Sequence, residues 1–192
     1  MLLQKVKKIC KSGTTLIVDQ KDGNQWLGTP GVLYSVYGIA LNEQSVRALF
    51  DISADDDLTV HRIPEQILNA YGVSLDDTAD ESILSETPWL LDLNGRKLQP
   101  LMSASAEPMI LFIDADYLSP LKDCGELALY MRVANGNRYV AAKNGFAIVA
   151  VMSVEKIPDA ARLSLAMIAS NADSVADRDY RRGTLLPAEE IK

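Results

Sequence analysis

The sequence predicts an α+β protein, mostly antiparallel β-sheet in hairpins and a C-terminal-half meander, with a few short helices and a C-terminal helix. Three observations predict it. Asn-Gly dipeptides at Asn94-Gly95, Asn135-Gly136 and Asn144-Gly145 sit between apolar runs. A two-residue hairpin needs positive φ at its central residues, which Asn followed by Gly adopts at the least steric cost. The last two dipeptides divide residues 126–154 into three short strands. Elsewhere, short alternating runs are interrupted by Gly and Pro at spacings that leave room only for brief helices.

Taken in order, residues 2–11 alternate Leu3, Lys5, Lys7 and Ile9 against Leu2, Gln4, Val6, Lys8 and Cys10, the pattern of a half-exposed strand with its lysines in water. Residues 14–19 are β-branched and apolar, Lys21-Asp22-Gly23-Asn24 carries turn chemistry, and residues 25–28 return alongside as a first hairpin. Gly28, Pro30 and Gly31 then break the pattern. Asn42 is placed to cap a helix over residues 43–50, with Val46, Leu49 and Phe50 on one face and Glu43 in the first turn, where the helix dipole favours a carboxylate. Residues 58–63 alternate as a strand, and Pro64 opens a second short helix that reaches Tyr71 and stops at Gly72. The polar, acidic residues 74–86 read as an exposed connector.

Residues 89–93 and 97–102 flank Asn94-Gly95 as another hairpin, and residues 109–113 form a short buried strand. Asp114 caps a brief helix running to Leu121, limited by Pro120. Pro158 and Asp159 open the C-terminal helix, with Ala161, Leu165 and Ile168 on one side. Residues 1–172 read as one domain, with the 74–86 connector as the place where two lobes would divide, and residues 173–192 read as a polar tail. No internal repeat stands out.

A chain of 192 residues, 48% hydrophobic and 23% charged, can bury one generous core or two small ones. Lys5, Lys7 and Lys8 interrupt the start, and no later apolar run reaches the roughly 18 residues of a membrane span, so a cytoplasmic protein without a membrane partner is expected. Cys10 and Cys124 are far apart and outside any C-x-x-C pattern, which argues against a disulfide framework or a zinc site. A net charge of -7 marks an acidic protein and disfavours indiscriminate binding to nucleic acid.

With Asn135-Gly136 as a two-residue turn, Val133 lies opposite Arg138, Met131 opposite Val140 and Leu129 opposite Ala142. The Asn144-Gly145 turn then adds Ala147, Val149 and Val151 to this apolar side. The other face carries Tyr130, Arg132, Tyr139 and Lys143 beside Phe146, Ile148, Ala150 and Met152. Two readings follow. The C-terminal helix covers Phe146, Ile148 and Met152 and leaves the tyrosines and cations as a solvated rim. Alternatively Tyr130, Arg132, Tyr139, Lys143, Phe146, Ile148 and Met152 form an interaction face for a protein partner, a second copy of the chain or DNA.

Catalytic patterns are few. His61 is the only histidine, which rules out a triad or a two-histidine metal site. Asp114 and Asp116, with further carboxylates at residues 55–57 and 76–77, are the runner-up metal ligands, holding Mg²⁺ against a phosphorylated substrate, although Asp114 has a simpler task as a helix cap. Gly28-Thr29-Pro30-Gly31 lacks the Lys-Ser/Thr pair of a phosphate loop, and Cys124 and Ser12 lack a neighbouring base. No cofactor is called for.

The run Phe112-Ile113-Asp114-Ala115-Asp116-Tyr117-Leu118, a short helix, and strands ending Val149-Ala150-Val151-Met152 resemble the last domain of bacterial DNA sliding clamps over residues 112–154. The resemblance implies a non-enzymatic, ring-forming subunit that encircles DNA and tethers a polymerase through an apolar pocket. Helices facing DNA would present Lys and Arg, whereas residues 43–50 offer only Arg47 and residues 114–121 no cation before Lys122. The expectation is therefore a non-catalytic binding or scaffold protein, in concrete form a sliding-clamp-like accessory factor in DNA replication or a mobile element. Its competitor is a carboxylate-metal-dependent enzyme built around Asp114 and Asp116.

Overall fold

Backbone geometry at the Asn-Gly turns organises the sheet. In the computed structural model, which describes residues 3–11, 14–53, 58–78, 80–103, 109–157 and 165, Asn94 and Asn135 have φ of 55° and 51° and are followed by Gly95 and Gly136 at 80° and 76°. Positive φ at both central residues matches the right-handed twist of the flanking strands. These turns join β6 (Leu91–Leu93) to β7 (Arg96–Ser103) and β9 (Ala128–Ala134) to β10 (Asn137–Asn144). The β9/β10 register is the expected one, with Val133 opposite Arg138, Met131 opposite Val140 and Leu129 opposite Ala142.

The third turn corrects the expectation. Asn144 pairs with Ala147 as the last rung between β10 and β11 (Ala147–Ser153), so Gly145 and Phe146 are the central residues. The pairing then shifts between Ala142 and Lys143, leaving Val149 as an extra residue between Ile148 opposite Lys143 and Ala150 opposite Ala142. Because side chains alternate with a period of two, such a shift moves residues between faces. Ala150 and Met152 consequently join Leu129, Met131 and Val140, whereas Ile148 and Val151 join Tyr139. Met152, expected on the Tyr139 face, is 1% exposed on the opposite one.

Before this meander come α1 (Leu3–Cys10), β1 (Thr15–Asp19), β2 (Gln25–Thr29), β3 (Val32–Val36), α2 (Glu43–Leu49), β4 (Val60–Pro64), α3 (Glu65–Ala70), β5 (Glu81–Glu86) and β8 (Ile110–Asp114), which leads into a 3₁₀ helix (Ala115–Leu121). Three of these differ from expectation. Residues 3–10 are helical because Val6 and Cys10, four apart, are both fully buried while Gln4 and Lys8 face out, so the helical spacing outweighs the apparent alternation. Pro30 and Gly31 do not end the first sheet region; they form the two-residue link that sets Thr29 opposite Val32, and all five residues of β3 are buried. The acidic 74–86 connector contains β5, which lies between β9 and β7 inside the sheet. Its polar composition hid a strand whose charged partners are themselves buried.

The expected caps hold. Asn42 accepts from Ser45 N while the Ser45 side chain returns to Asn42 N, a reciprocal cap on α2. Asp114 accepts from Asp116 N at the start of the 3₁₀ helix, and Gly72 follows α3 with φ 80°.

Strands run in the order β4-β1-β2-β3-β11-β10-β9-β5-β7-β6, with β8 also on β7; β1 and β4 are parallel and the other pairs antiparallel. A unit of one helix followed by a three-stranded meander occurs twice, as α1-β1-β2-β3 and as the 3₁₀ helix with β9-β10-β11. The two meanders join where β3 and β11 pair antiparallel, Tyr34 opposite Ala150 and Val32 opposite Met152, so the strand order reads the same outward from that junction. The two helices also touch, and Lys5 Nζ donates to the Ser119 carbonyl at 3.2 Å. No matching repeat stands out in the sequence.

The main core lies on the helix-covered face, where Val6, Leu118 and Leu121 meet Ile17, Tyr34, Met131 and Val140. On the other face, Leu75 with the partly buried Leu68 and Val73 covers Val18, Trp26, Leu33, Tyr139, Ile148 and Val151. A third cluster of Leu98, Ile110 and Phe112 takes Ile157 and Leu165. The expected C-terminal helix and polar tail, Ser12 and the carboxylates at 55–57 otherwise fall outside the described residues.

Candidate functional site

Pairing of β5 with β9 sets Glu81 opposite Arg132, and pairing of β9 with β10 brings Lys143 to the same face. Arg132 is 1% exposed and Lys143 6%. Arg132 Nε donates to Glu81 Oε2 at 2.9 Å, and its Nη1 to the Asp76 carbonyl at 2.8 Å. Its Nη2 has no hydrogen bond and lies 3.5 Å from Asp77 Oδ1. Lys143 Nζ donates to Glu81 Oε1 and lies 2.6 Å from Asp77 Oδ1, with the ammonium 4.7 Å from the Tyr130 ring centroid. Tyr139 completes the arrangement, its hydroxyl accepting from Ser74 N at 3.3 Å.

These cations work as internal ties. Together they fasten residues 74–77 across the sheet as a strap. Burial alone would lower the Lys143 ammonium, but hydrogen bonds to Asp77 and Glu81 outweigh it and raise it. The same Lys143 bond holds the Asp77 carboxyl below its ordinary range. Of the seven residues expected on an interaction face, Arg132, Tyr139, Lys143 and Ile148 are buried, Tyr130 is half-buried and Met152 lies on the other face, while Phe146 stands 92% exposed at its hairpin tip.

Beside the strap is an apolar groove of about 290 Å³, lined among others by Leu33, Leu68, Tyr71, Val73 and Val151. Tyr71 is 72% exposed. Arg138 and Lys156, both exposed, add cations to its lining. The position of α3 creates the groove: Pro64 and Gly72 bound the helix, and Leu68 and Val73 carry it onto β3 and β11 without filling the space toward Tyr71. Sequence reasoning missed both this groove and the carboxylates that neutralise Arg132 and Lys143. The alternation of Glu81, Ile83 and Ser85 around buried Leu84 was the available signal for β5.

On the opposite face, α1, the 3₁₀ helix and the residues that directly follow them expose Lys8, Lys11 and Lys122 together with Asp116 and Asp123. Lys7 is tied to Asp51 at 2.9 Å. Asp114 is committed on both oxygens, one to Asp116 N at 3.0 Å and one to Arg96 at 3.0 Å, and Arg96 continues to Glu155 at 2.7 Å. Asp114 and Asp116 are therefore neighbours that do not present two open carboxylates. Among the described residues, no three His, Cys, Asp or Glu side chains come together to hold a metal ion. Burial pushes the Cys10 thiol up to about 12, which removes its reactivity, and His61 is an exposed residue of β4. No helix among the described residues is long and apolar enough to cross a membrane. Compared with known proteins, the chain matches no family model, no curated protein and no solved structure.

Proposed function

We propose that the chain is a non-catalytic binding or scaffold module, acting as a sliding-clamp-like accessory factor in DNA replication or a mobile element. A protein partner docks in the groove between α3 and the β3/β11 junction, and α1 with the 3₁₀ helix faces nucleic acid. The groove carries this reading: an apolar cavity with an exposed tyrosine at its edge is the arrangement that takes an anchoring side chain from a partner. A lysine-bearing helix, α1, lying beside the 3₁₀ helix supports the nucleic-acid face. With Asp116 and Asp123 on the same face as Lys8, Lys11 and Lys122, contact with DNA is weak and salt-dependent.

Peptide display on the immobilised chain, with counter-selection on Tyr71→Arg, tests the groove. Apolar peptides retained by the parent protein and released by the variant are expected. Failure to enrich any peptide over the variant overturns the reading. Anisotropy of a short fluorescent duplex tests the helix face, where binding should fall with added salt and fall further in the Lys8→Glu, Lys11→Glu double variant.

A further inference from the structure

A second cavity, of about 430 Å³, opens on the helix-covered face where α1 and the 3₁₀ helix meet the β2–β3 link. Its size lies in the range of small-molecule sites, roughly 300–1,000 Å³. Four charged side chains line it, Lys8, Arg96, Asp114 and Asp116, and their formal charges cancel. Two of the four are already committed, because Arg96 bonds Asp114 and Glu155 while Asp114 also accepts from Asp116 N.

Lys8 and Asp116 are different. Both are exposed, and neither the Lys8 ammonium nor the Asp116 carboxylate has a side-chain partner among the described residues. Hydroxyls add to them. Thr29 Oγ1 accepts from Gly31 N at 3.3 Å and keeps its own proton to donate. The Tyr117 hydroxyl, set over the bare Cα of Gly31, is held protonated by burial and by the neighbouring carboxylates Asp114 and Glu155. Ile9 and Pro30 supply apolar wall.

The ligand chemistry follows by elimination. A phosphate would face Asp114 and Asp116, and a bare divalent cation would face Lys8 and Arg96 with no third acidic ligand. A small molecule with one positive and one negative group and an apolar body satisfies the Lys8 ammonium and the Asp116 carboxylate together. We infer that this cleft binds a zwitterion of the aliphatic α-amino-acid class, its carboxylate on Lys8 and the Thr29 and Tyr117 hydroxyls, its ammonium on Asp116 and its side chain against Ile9 and Pro30. The inference is independent of the groove on the other face.

Titration of L-leucine into the full chain, followed by calorimetry and amide chemical shifts, tests it against N-acetyl-L-leucine, which lacks the ammonium, and L-leucinamide, which lacks the carboxylate. Saturable binding with shifts at Ile9 and Thr29 is expected for leucine. Loss of one charge-assisted hydrogen bond should weaken binding about tenfold or more, both for each analogue and for Lys8→Gln and Asp116→Asn. Both substitutions are at exposed positions, and circular dichroism confirms that the variants are folded. Absence of saturation, equal binding of leucine and the two analogues, indifference of both variants, or shifts confined to the α3 groove would each overturn the assignment.

Discussion

Arg132 is buried with three kinds of partner, a carboxylate on β5, backbone carbonyls of the strap and a more distant second carboxylate. A charge taken out of water keeps its place only when hydrogen bonds replace the lost hydration, and removing one member strands the others. Arg132→Ala is therefore expected to cost about 3–5 kcal/mol, measured by urea denaturation. A loss under about 1 kcal/mol, the worth of an exposed pair, would contradict the buried arrangement. Nothing local to Arg132 announced this. Its charge signalled exposure, and the partner that reverses the signal, Glu81, lies 51 residues earlier in the chain. By contrast, the caps at Asn42 and Asp114 and the turn residues Asn94 and Asn135 were legible, because the chemistry that fixes them sits within a few neighbouring residues.

Among the elements, the strap depends on ionisation. Asp77 is held below its ordinary range in the folded protein, so its contribution is complete above the unfolded carboxylate value, about pH 4, and is lost as pH falls through the folded value. Lys143 is raised, so its contribution is complete below the unfolded lysine value, about 10.4, and is lost as pH rises through the folded one. Thermal unfolding should show stability falling on the acid side, and Asp77→Asn should flatten that limb and weaken the alkaline one as well, because Asp77 is one of the two partners that raise Lys143. An unchanged acid limb in the variant would mean that Asp77 does not hold the strap. The same scale explains what sequence reasoning misassigned. In α1 the alternation of Lys5 and Lys7 with Gln4 and Val6 imitates a strand, while the burial of Val6 and Cys10 follows the helical period. In β5 one of the acidic residues that suggested a connector, Glu81, is the counter-charge of Arg132 on β9 and of Lys143 on β10.

For the whole molecule, the β3/β11 junction decides which residues share a core. Met152, paired with Val32, is 1% exposed in the main core. Met152→Ala should therefore cost about 2–5 kcal/mol by chemical denaturation. The register without the Val149 bulge would turn that side chain toward the strap face, and a near-neutral result would restore it. The antiparallel α+β class was legible because alternation and tight turns are local. The order in which the two meanders meet was not, since no short-range signal says which outer strands will pair. Likewise the groove draws on β3, α3, β10 and β11, segments that only the finished topology brings together.

That junction also has a consequence for how the polypeptide acquires its shape. During synthesis the β1-β2-β3 meander is made with one rim of β3 still unpaired, and its complement, residues 147–153, follows more than a hundred residues later. Until then that rim is a template for any passing extended chain. Completion of the sheet thus waits on β11, the last strand of the described residues, and until it is in place the two meanders remain separate hairpin stacks with open edges.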